Sequence, residues 1–373
     1  MRLPFVRTKS VAPAAGPRIP SWATPLRDEP AGYAGQVQAA FLTNPVAARA
    51  IRMITENAGS APVISTPAGH PAVDLLRSCG FGASGPGLLE TLAGHMLLHG
   101  NAFVDVAVGH DGLPAALFAL RPERVSIEVD GEGWPATHVY RAGSAVRRYP
   151  VGGEGGLLHI RSFHPTDDHH GAGCLGAAAS AVAVHNAATK WNKALLDNAA
   201  RPSGALVYQP GDGSTLSPDQ YGRLRAEMEA AFAGAANAGR PMLLEGGLSW
   251  QALSLSPAEM DFAGMREAAA RDIALALGVP PLLLGLKGDN TFANYREANV
   301  ALWRLTLLPL LARLLGALAA HLQWWWPGLG LRVDRDAVPA LSEDRERLWA
   351  QVSGADFLDP AEKRRILGLE DGQ

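Results

Sequence analysis

The sequence predicts an α+β protein of two or three lobes, and three observations carry that prediction. Apolar residues recur at helical spacing before residue 100, and a run of short strand-like segments follows. Beyond residue 173, long helices flank an inserted unit with strands of its own. With 373 residues, 47% of them hydrophobic, the chain can bury a substantial core.

The first twenty residues carry Arg2, Arg7, Lys9 and Arg18 with no acid before Asp28, and they lack the continuous apolar run of a signal peptide. Residues 1–30 are therefore expected to be a flexible basic arm. From Gln36 to Ala58, Val37, Ala40, Phe41, Val46, Ile51 and Ile54 follow helical spacing. Asn44-Pro45 restarts the helix with proline at its first position. A second helix follows Gly87, with Leu88, Leu89, Leu92, Met96 and Leu97 on one side and a stop at Gly100.

From Asn101 the period changes to that of strands: Phe103–Val108, Ala116–Leu120, Val125–Val129, His138–Arg141, Arg147–Val151 and Leu157–Arg161. These predict a mostly antiparallel sheet. Cys174–Ala200 then reads as an alanine-rich helix that another helix could approach closely, ended by Arg201-Pro202-Ser203-Gly204. An inserted β-α-β unit follows, with strands at Ala205–Tyr208, Met242–Leu244 and Leu248–Leu253. Its helix opens on Ser217-Pro218-Asp219-Gln220, a capping box, and presents Tyr221, Leu224, Met228 and Phe232.

A second capping box, Ser256-Pro257-Ala258-Glu259, opens a helix that Gly278 and Pro280-Pro281 end, giving a rod of roughly 31 Å. A short Gly- and Lys-bearing loop spans Gly285–Thr291. The last long helix runs from about Asn290 to Leu322, with Pro309 expected to kink it.

Charge and chemistry exclude several functions. The 33 Lys+Arg are balanced by 36 Asp+Glu, whereas a sequence-reading DNA binder needs a basic domain to neutralise phosphates. Cys79 and Cys174, the two cysteines, fit a reducing compartment and read as small buried hydrophobes. A metal-dependent enzyme would draw on the 159–170 cluster, with His164, Asp167, Asp168, His169 and His170, but no zinc spacing occurs there. Gly152–Gly156 lacks the Lys and Ser/Thr of a phosphate loop, and Gly82-Ala83-Ser84-Gly85 misses the spacing of a nucleophile elbow. No catalytic residue, metal site or cofactor is expected. Residues 302–326, ending in three tryptophans, raise a second alternative, a peripheral membrane protein. Against it, Arg304 and Arg313 would each cost roughly 2.5–3.5 kcal/mol near a bilayer centre.

Several motifs remain, and it is their order that informs. Gly100-Asn101-Ala102-Phe103 precedes the first strand, and Leu120-Arg121-Pro122-Glu123-Arg124-Val125 comes after the second. His159-Ile160-Arg161 leads to Gly171-Ala172-Gly173-Cys174-Leu175. Arg271–Gly285, with Leu277-Gly278-Val279-Pro280-Pro281 at its centre, is followed by Asn294-Tyr295-Arg296-Glu297 and Leu308-Pro309-Leu310. Arg345-Glu346-Arg347, Pro360–Arg365 and Gly368-Leu369 close the series. In this order, from roughly Ala40 to Leu369, the chain resembles the portal (head-to-tail connector) proteins of long-tailed phages and gene transfer agents. It departs from them at Asp167-Asp168-His169-His170, where the family usually has Asp-Gly.

The resemblance implies a portal fold: an α/β wing (31–173), paired stem helices (174–200 and 257–278) and a β-α-β clip inserted between them (201–256). A tunnel-loop region (285–296), a long kinked helix returning to the wing (297–338) and a small helical crown (339–373) complete it. It implies a dodecameric ring that conducts double-stranded DNA without sequence specificity at one capsid vertex, after assembly in the bacterial cytoplasm. The implied partners are the terminase large subunit, a head-completion or tail adaptor protein, and the major capsid protein. Lys287, Asp289, Asn290 and Thr291 would face DNA. Gln209, Asp212, Arg223, Arg225 and Glu229 would meet the terminase or adaptor. A near-neutral subunit suits such a channel, since a ring repeats every charge and a strongly basic bore would hold DNA fast.

Overall fold

In the computed structural model, residues 32–77, 79–80, 85–152, 156–197, 204–208, 217–232, 248–252, 262–286 and 292–368 are described. The basic arm lies outside them. The chain opens with α1 (Gly32–Val37), which widens into a π turn over Gln38–Leu42, and restarts as α2 (Pro45–Gly59). Asn44 makes that restart. Its Oδ1 accepts from the backbone N–H groups of Val46 and Ala47, both at 3.0 Å, and Pro45 has no N–H to satisfy.

Next come β1 (Val63–Thr66), the single turn α3 (Ala72–Leu75) and α4 (Leu88–His99), which ends where Gly100 turns left-handed at φ 79°. Six strands follow: β2 (Asn101–Val108), β3 (Pro114–Leu120), β4 (Val125–Val129), β5 (Pro135–Ala142), β6 (Ala145–Pro150) and β7 (Leu158–Arg161). They form two three-stranded antiparallel sheets, β3-β2-β7 and β4-β5-β6, where a single sheet was expected. The break falls at Arg121-Pro122: the chain makes a 3₁₀ turn over Pro122–Arg124, and proline has no donor to continue a ladder.

Strand β2 is buried on both faces. Ala102, Val104 and Val106 join the main helical core, while Phe103 belongs to a smaller core with Val125, Tyr149 and Leu157 between the sheets. Asp105 ties the sheets together, accepting from Arg147 at 2.8 Å and from the Tyr149 hydroxyl at 3.0 Å. On the outer face of β5, the Arg148–Glu128 ion pair and the bond from Arg141 to the Ser126 hydroxyl lie beside Val139, which is fully buried.

Helix α5 (Leu175–Asp197) leads to β8 (Gly204–Tyr208), α6 (Pro218–Phe232) and β9 (Leu248–Ala252). The capping box at Ser217 forms in both directions. Strands β8 and β9 pair directly and antiparallel, so among the described residues the inserted unit shows a two-stranded ladder with a helix in its connection. The expected strand at Met242–Leu244 lies outside the described residues, as does the capping box at Ser256. Helix α7 (Phe262–Ala276) is followed by α8 (Phe292–Leu302) and α9 (Leu308–Leu322). Between these last two the helix widens into a π turn, Trp303–Leu307, with the Leu308 N–H bonded to the Trp303 carbonyl. The disturbance expected of Pro309 is taken up there, one turn before the proline.

Strand β10 (Gly330–Val333) then pairs antiparallel with β1, joining two short strands that lie far apart in the chain. Helices α10 (Ser342–Ser353) and α11 (Pro360–Leu367) close the described chain. The main core unites α2, α4, the inner face of β2 and the buried side of α9, with Leu311, Leu314, Leu315 and Leu322 fully enclosed. Ala293–Leu322 is long and apolar enough to cross a membrane, but this leucine face is packed inside the protein while Arg304 and Arg313 are exposed. Both cysteines are half-buried at the edge of this core and not fully enclosed as expected. The Cys79 thiol accepts from the Ala119 N–H at 3.3 Å, and burial raises the pKa of Cys174.

Candidate functional site

The parts most able to act on something outside the chain are the α5–α7 pair, the unit inserted between these helices, and the junction from α7 to α8. Helices α5 and α7 pack along each other through small residues: Ala178, Val182 and Ala188 on one side, Ala269, Ala270, Ile273 and Ala274 on the other. Small side chains let backbones approach closely, and the rings of Trp191 and Phe262 stack 5.7 Å apart at the far end. The middle of α5 is fixed by polar groups. Asn44, fully buried, donates to His185 Nδ1 at 3.2 Å and to Asn186 Oδ1 at 2.9 Å, and Asn186 donates to the Ala39 carbonyl at 3.0 Å. The helix pair is thereby bolted to the start of α2.

The α7–α8 junction is a chain of tight turns. At Gly278 the backbone reaches φ 68°, in the left-handed region, and a Cβ there would sit 3.0 Å from the Thr306 hydroxyl. That hydroxyl donates to the Gly278 carbonyl at 2.6 Å, so the end of α7 is pinned to the π turn of the long helix. Val279-Pro280 leads into a 3₁₀ turn over Pro281–Leu284, and the Leu286 N–H returns to the Pro281 carbonyl. Lys287, Asp289, Asn290 and Thr291 lie outside the described residues. The long helix expected from about Asn290 is described from Phe292, and on it Arg296 pairs with Glu343 at 3.0 Å.

Of the residues assigned to the inserted unit, Arg223 and Arg225 stand on α6 and are exposed. Glu229 lies further along the same helix. Gln209 and Asp212 fall outside the described residues. The structure therefore gathers two of these five as exposed cations on one helix.

The 159–170 cluster resolves into structural bonds. His159 stacks on Phe103 with centroids 4.3 Å apart, and its Nε2–H donates to Asn101 Oδ1 at 2.9 Å. Burial pushes the pKa of His159 down to about 3 and that of His138, its edge-on neighbour, below the usual histidine value. The Asp167 carboxylate accepts from the His169 and His170 N–H groups, each at 2.8 Å, which holds its pKa down to about 2. Among the described residues, no three His, Cys, Asp or Glu side chains are placed to hold one metal ion.

One architectural site is explained only by the structure. The backbone of 171–173 crosses directly over Gly100. A Cβ on Gly100 would lie 2.3 Å from the Ala172 carbonyl carbon, and one on Gly171 would lie 2.1 Å from the Gly100 oxygen. Asn101 seals the crossing: its amide donates to the Gly171 carbonyl at 3.1 Å, and its Oδ1 accepts the Gly171 N–H at 2.8 Å. The paired motifs Gly100-Asn101 and Gly171-Ala172-Gly173 are the two halves of one contact. Their glycine content was the signal, although nothing in the sequence set them face to face.

Comparison with known proteins places this architecture. The family model for the phage portal protein matches residues 45–368. A subunit from the neck of a native gene transfer agent particle of C12 symmetry is 45% identical, with a TM-score of 0.69, 91% of this chain covered and 94% of that one. A protein from Rickettsia bellii is 37% identical over 345 residues, 88% of each chain. The crystal structure of an HK97-family phage portal protein from Corynebacterium diphtheriae is similar in fold, with a TM-score of 0.59 at 17% identity, covering 84% of this chain and all of that one.

Proposed function

The chain belongs to the phage portal protein family, and on that premise we propose that it forms the ring at one vertex of a virus-like particle, twelve copies enclosing a channel for double-stranded DNA. The observation that carries this reading is the near full-length likeness to a subunit of a twelve-fold particle neck. Cyclic assembly needs two different, complementary surfaces on each subunit, and a chain with several lobes can supply both.

In this reading the α/β part up to residue 173 is the wing, and α5 and α7 are the stem. The unit from 201 to 256 is the clip, meeting the terminase large subunit during packaging and a head-completion or tail adaptor protein afterwards. The wing faces the major capsid protein, and α10 and α11 form the crown. Particle location follows from the same likeness, with assembly in the cytoplasm beforehand. The role is structural and assigns no catalytic residue.

Physical features support the division. The stem is clamped at its middle by the Asn44–His185–Asn186 network and further out by the Trp191–Phe262 stack, as a rod that carries a working surface should be. The turns from Gly278 to Leu286 give the tunnel loop a fixed base. Lys287, Asp289, Asn290 and Thr291 would ride on that base and touch DNA, and Gln209, Asp212, Arg223, Arg225 and Glu229 would touch the packaging and adaptor proteins.

Electron microscopy of the purified protein tests the ring, with closed rings around a central channel expected. A monomer at every concentration in sedimentation would overturn the reading. For the loop, Lys287→Glu is expected to reduce packaged DNA while rings form normally, and unchanged packaging would remove Lys287 from the DNA path.

A further inference from the structure

We propose that the turn Asp356–Asp359 of one subunit docks into the arginine-rimmed groove between α9 and α10 of the next, locking neighbours together at the level of the crown. The proposal rests on the ring reading and names the two faces of one of its contacts.

The protruding partner is Phe357. It is 86% exposed, the most exposed of the large hydrophobic side chains among the described residues, and carboxylates flank it at Asp356 and Asp359. An aromatic side chain supplies a large contact area when a partner covers it. The turn that presents it is rigid. The Leu358 N–H bonds to the Ala355 carbonyl, the Ala355 N–H bonds to the Val352 carbonyl, and Val352 is buried. Asp359 and Glu362 form a reciprocal capping box at the start of α11, and Lys363 Nζ reaches back to the Ser353 carbonyl at 3.1 Å. Phe357 is therefore held outward before any partner arrives, which lowers the entropy lost on docking.

The receiving surface has the opposite character. An open cavity of about 380 Å³ lies between α9, α10 and the segment after β10. Leu308, Leu341 and Leu348 give it an apolar lining, and Arg304, Arg335 and Arg347 give it a cationic rim. A fourth arginine, Arg345, is held by Asp336 and the Leu367 carbonyl, so it shapes the groove from below. Arg335 is exposed and makes no ion pair with any described residue, and the same holds for Asp356. A hydrophobic knob with an acidic rim matches an apolar groove with a basic rim.

Knob and groove lie close together in the molecule. Both belong to α10 and its flanks, a helix of about 18 Å. A rotation about a ring axis carries each subunit onto the next without changing height, so a closing contact must join surfaces at one level.

The experiment uses the full chain, with ring content measured by sedimentation and electron microscopy over a dilution series. Phe357→Ala and Arg335→Glu are each expected to raise the concentration at which rings half-dissociate by about thirtyfold, the effect of removing a central aromatic or charged contact. Asp356→Arg should act similarly. The double variant Arg335→Glu with Asp356→Arg should regain ring stability, because the pair is restored with its signs exchanged. All four variants should melt as the unaltered monomer does, since every altered side chain is exposed. Rings of unaltered stability in Phe357→Ala, or no recovery in the double variant, would overturn the proposal. So would Arg335→Glu rings that assemble normally but lose retention of duplex DNA on filters, which would make the groove a polyanion site. Failure of the unaltered protein to form rings would instead strike at the ring reading.

Discussion

Asn44 and Asn101 do more for this fold than their modest side chains suggest. Each is fully buried, and each ties its own stretch of chain to a segment far along the sequence. Asn44→Ala removes a helix cap and strands buried partners, so the protein should lose about 2–3 kcal/mol, read from denaturant midpoints. The buried histidines make stability depend on pH. Burial lowers His159 to about 3 and His95 to about 4, whereas an unfolded histidine takes up its proton near 6.5. Between those limits the unfolded chain binds more protons, so stability is complete above about pH 6.5 and falls as pH drops toward 4. Melting temperature measured from pH 7 to 4 should show this decline. His159→Gln, which can still donate to Asn101, should make it shallower. At this scale the sequence was partly legible. Asn44-Pro45 announces a cap by residue type alone, whereas the partners of Asn101 lie seventy residues on, at Gly171, and no local signal names them.

Among the elements, helix ends were easier to foresee than helix interiors. Gly100, Gly278 and the capping box at Ser217 act by local backbone chemistry and stand where their residue types put them. The π turn at Trp303–Leu307 has no such signature, because a change from four-residue to five-residue bonding leaves the apolar spacing nearly intact. Pro309 marked the disturbance but not its form. The π turn also serves the neighbouring helix, because Thr306 within it holds Gly278 at the end of α7. Thr306→Val should cost about 0.5–1.5 kcal/mol through the lost hydrogen bond. Gly278→Ala should cost about 1–2 kcal/mol, because an L side chain resists that φ. Thermal melts of both variants check the two values. The strands illustrate the opposite difficulty. Each was located from alternation, but their division into two sheets depends on Pro122 and on the Asp105 bridge to Arg147 and Tyr149, which alternation does not encode.

For the whole molecule, the ordered motifs carried the architecture, since several mark places where backbones cross or helices stop. What they did not disclose is how the ends of the chain are joined. Arg345 grips Asp336 beside β10 and the Leu367 carbonyl at the end of α11, so one guanidinium binds the last two helices to the body. Arg345→Ala should open the α10–α11 turn to protease, with limited proteolysis cutting near residues 354–358 well before the unaltered chain is touched. The pairing of β1 with β10 reaches further. Val63 lies opposite Val333, so the core begun by α2 and α4 stays unfinished until the chain has passed through α5, the inserted unit and α7 and come back. On the ribosome, the apolar faces of α2 and α4 must wait for nearly the whole of translation before α9 covers them. Such late closure makes folding slow and exposes the nascent chain to chaperones and proteases. It also acts as a check on completeness: a chain cut short before residue 330 lacks the strand that completes its body.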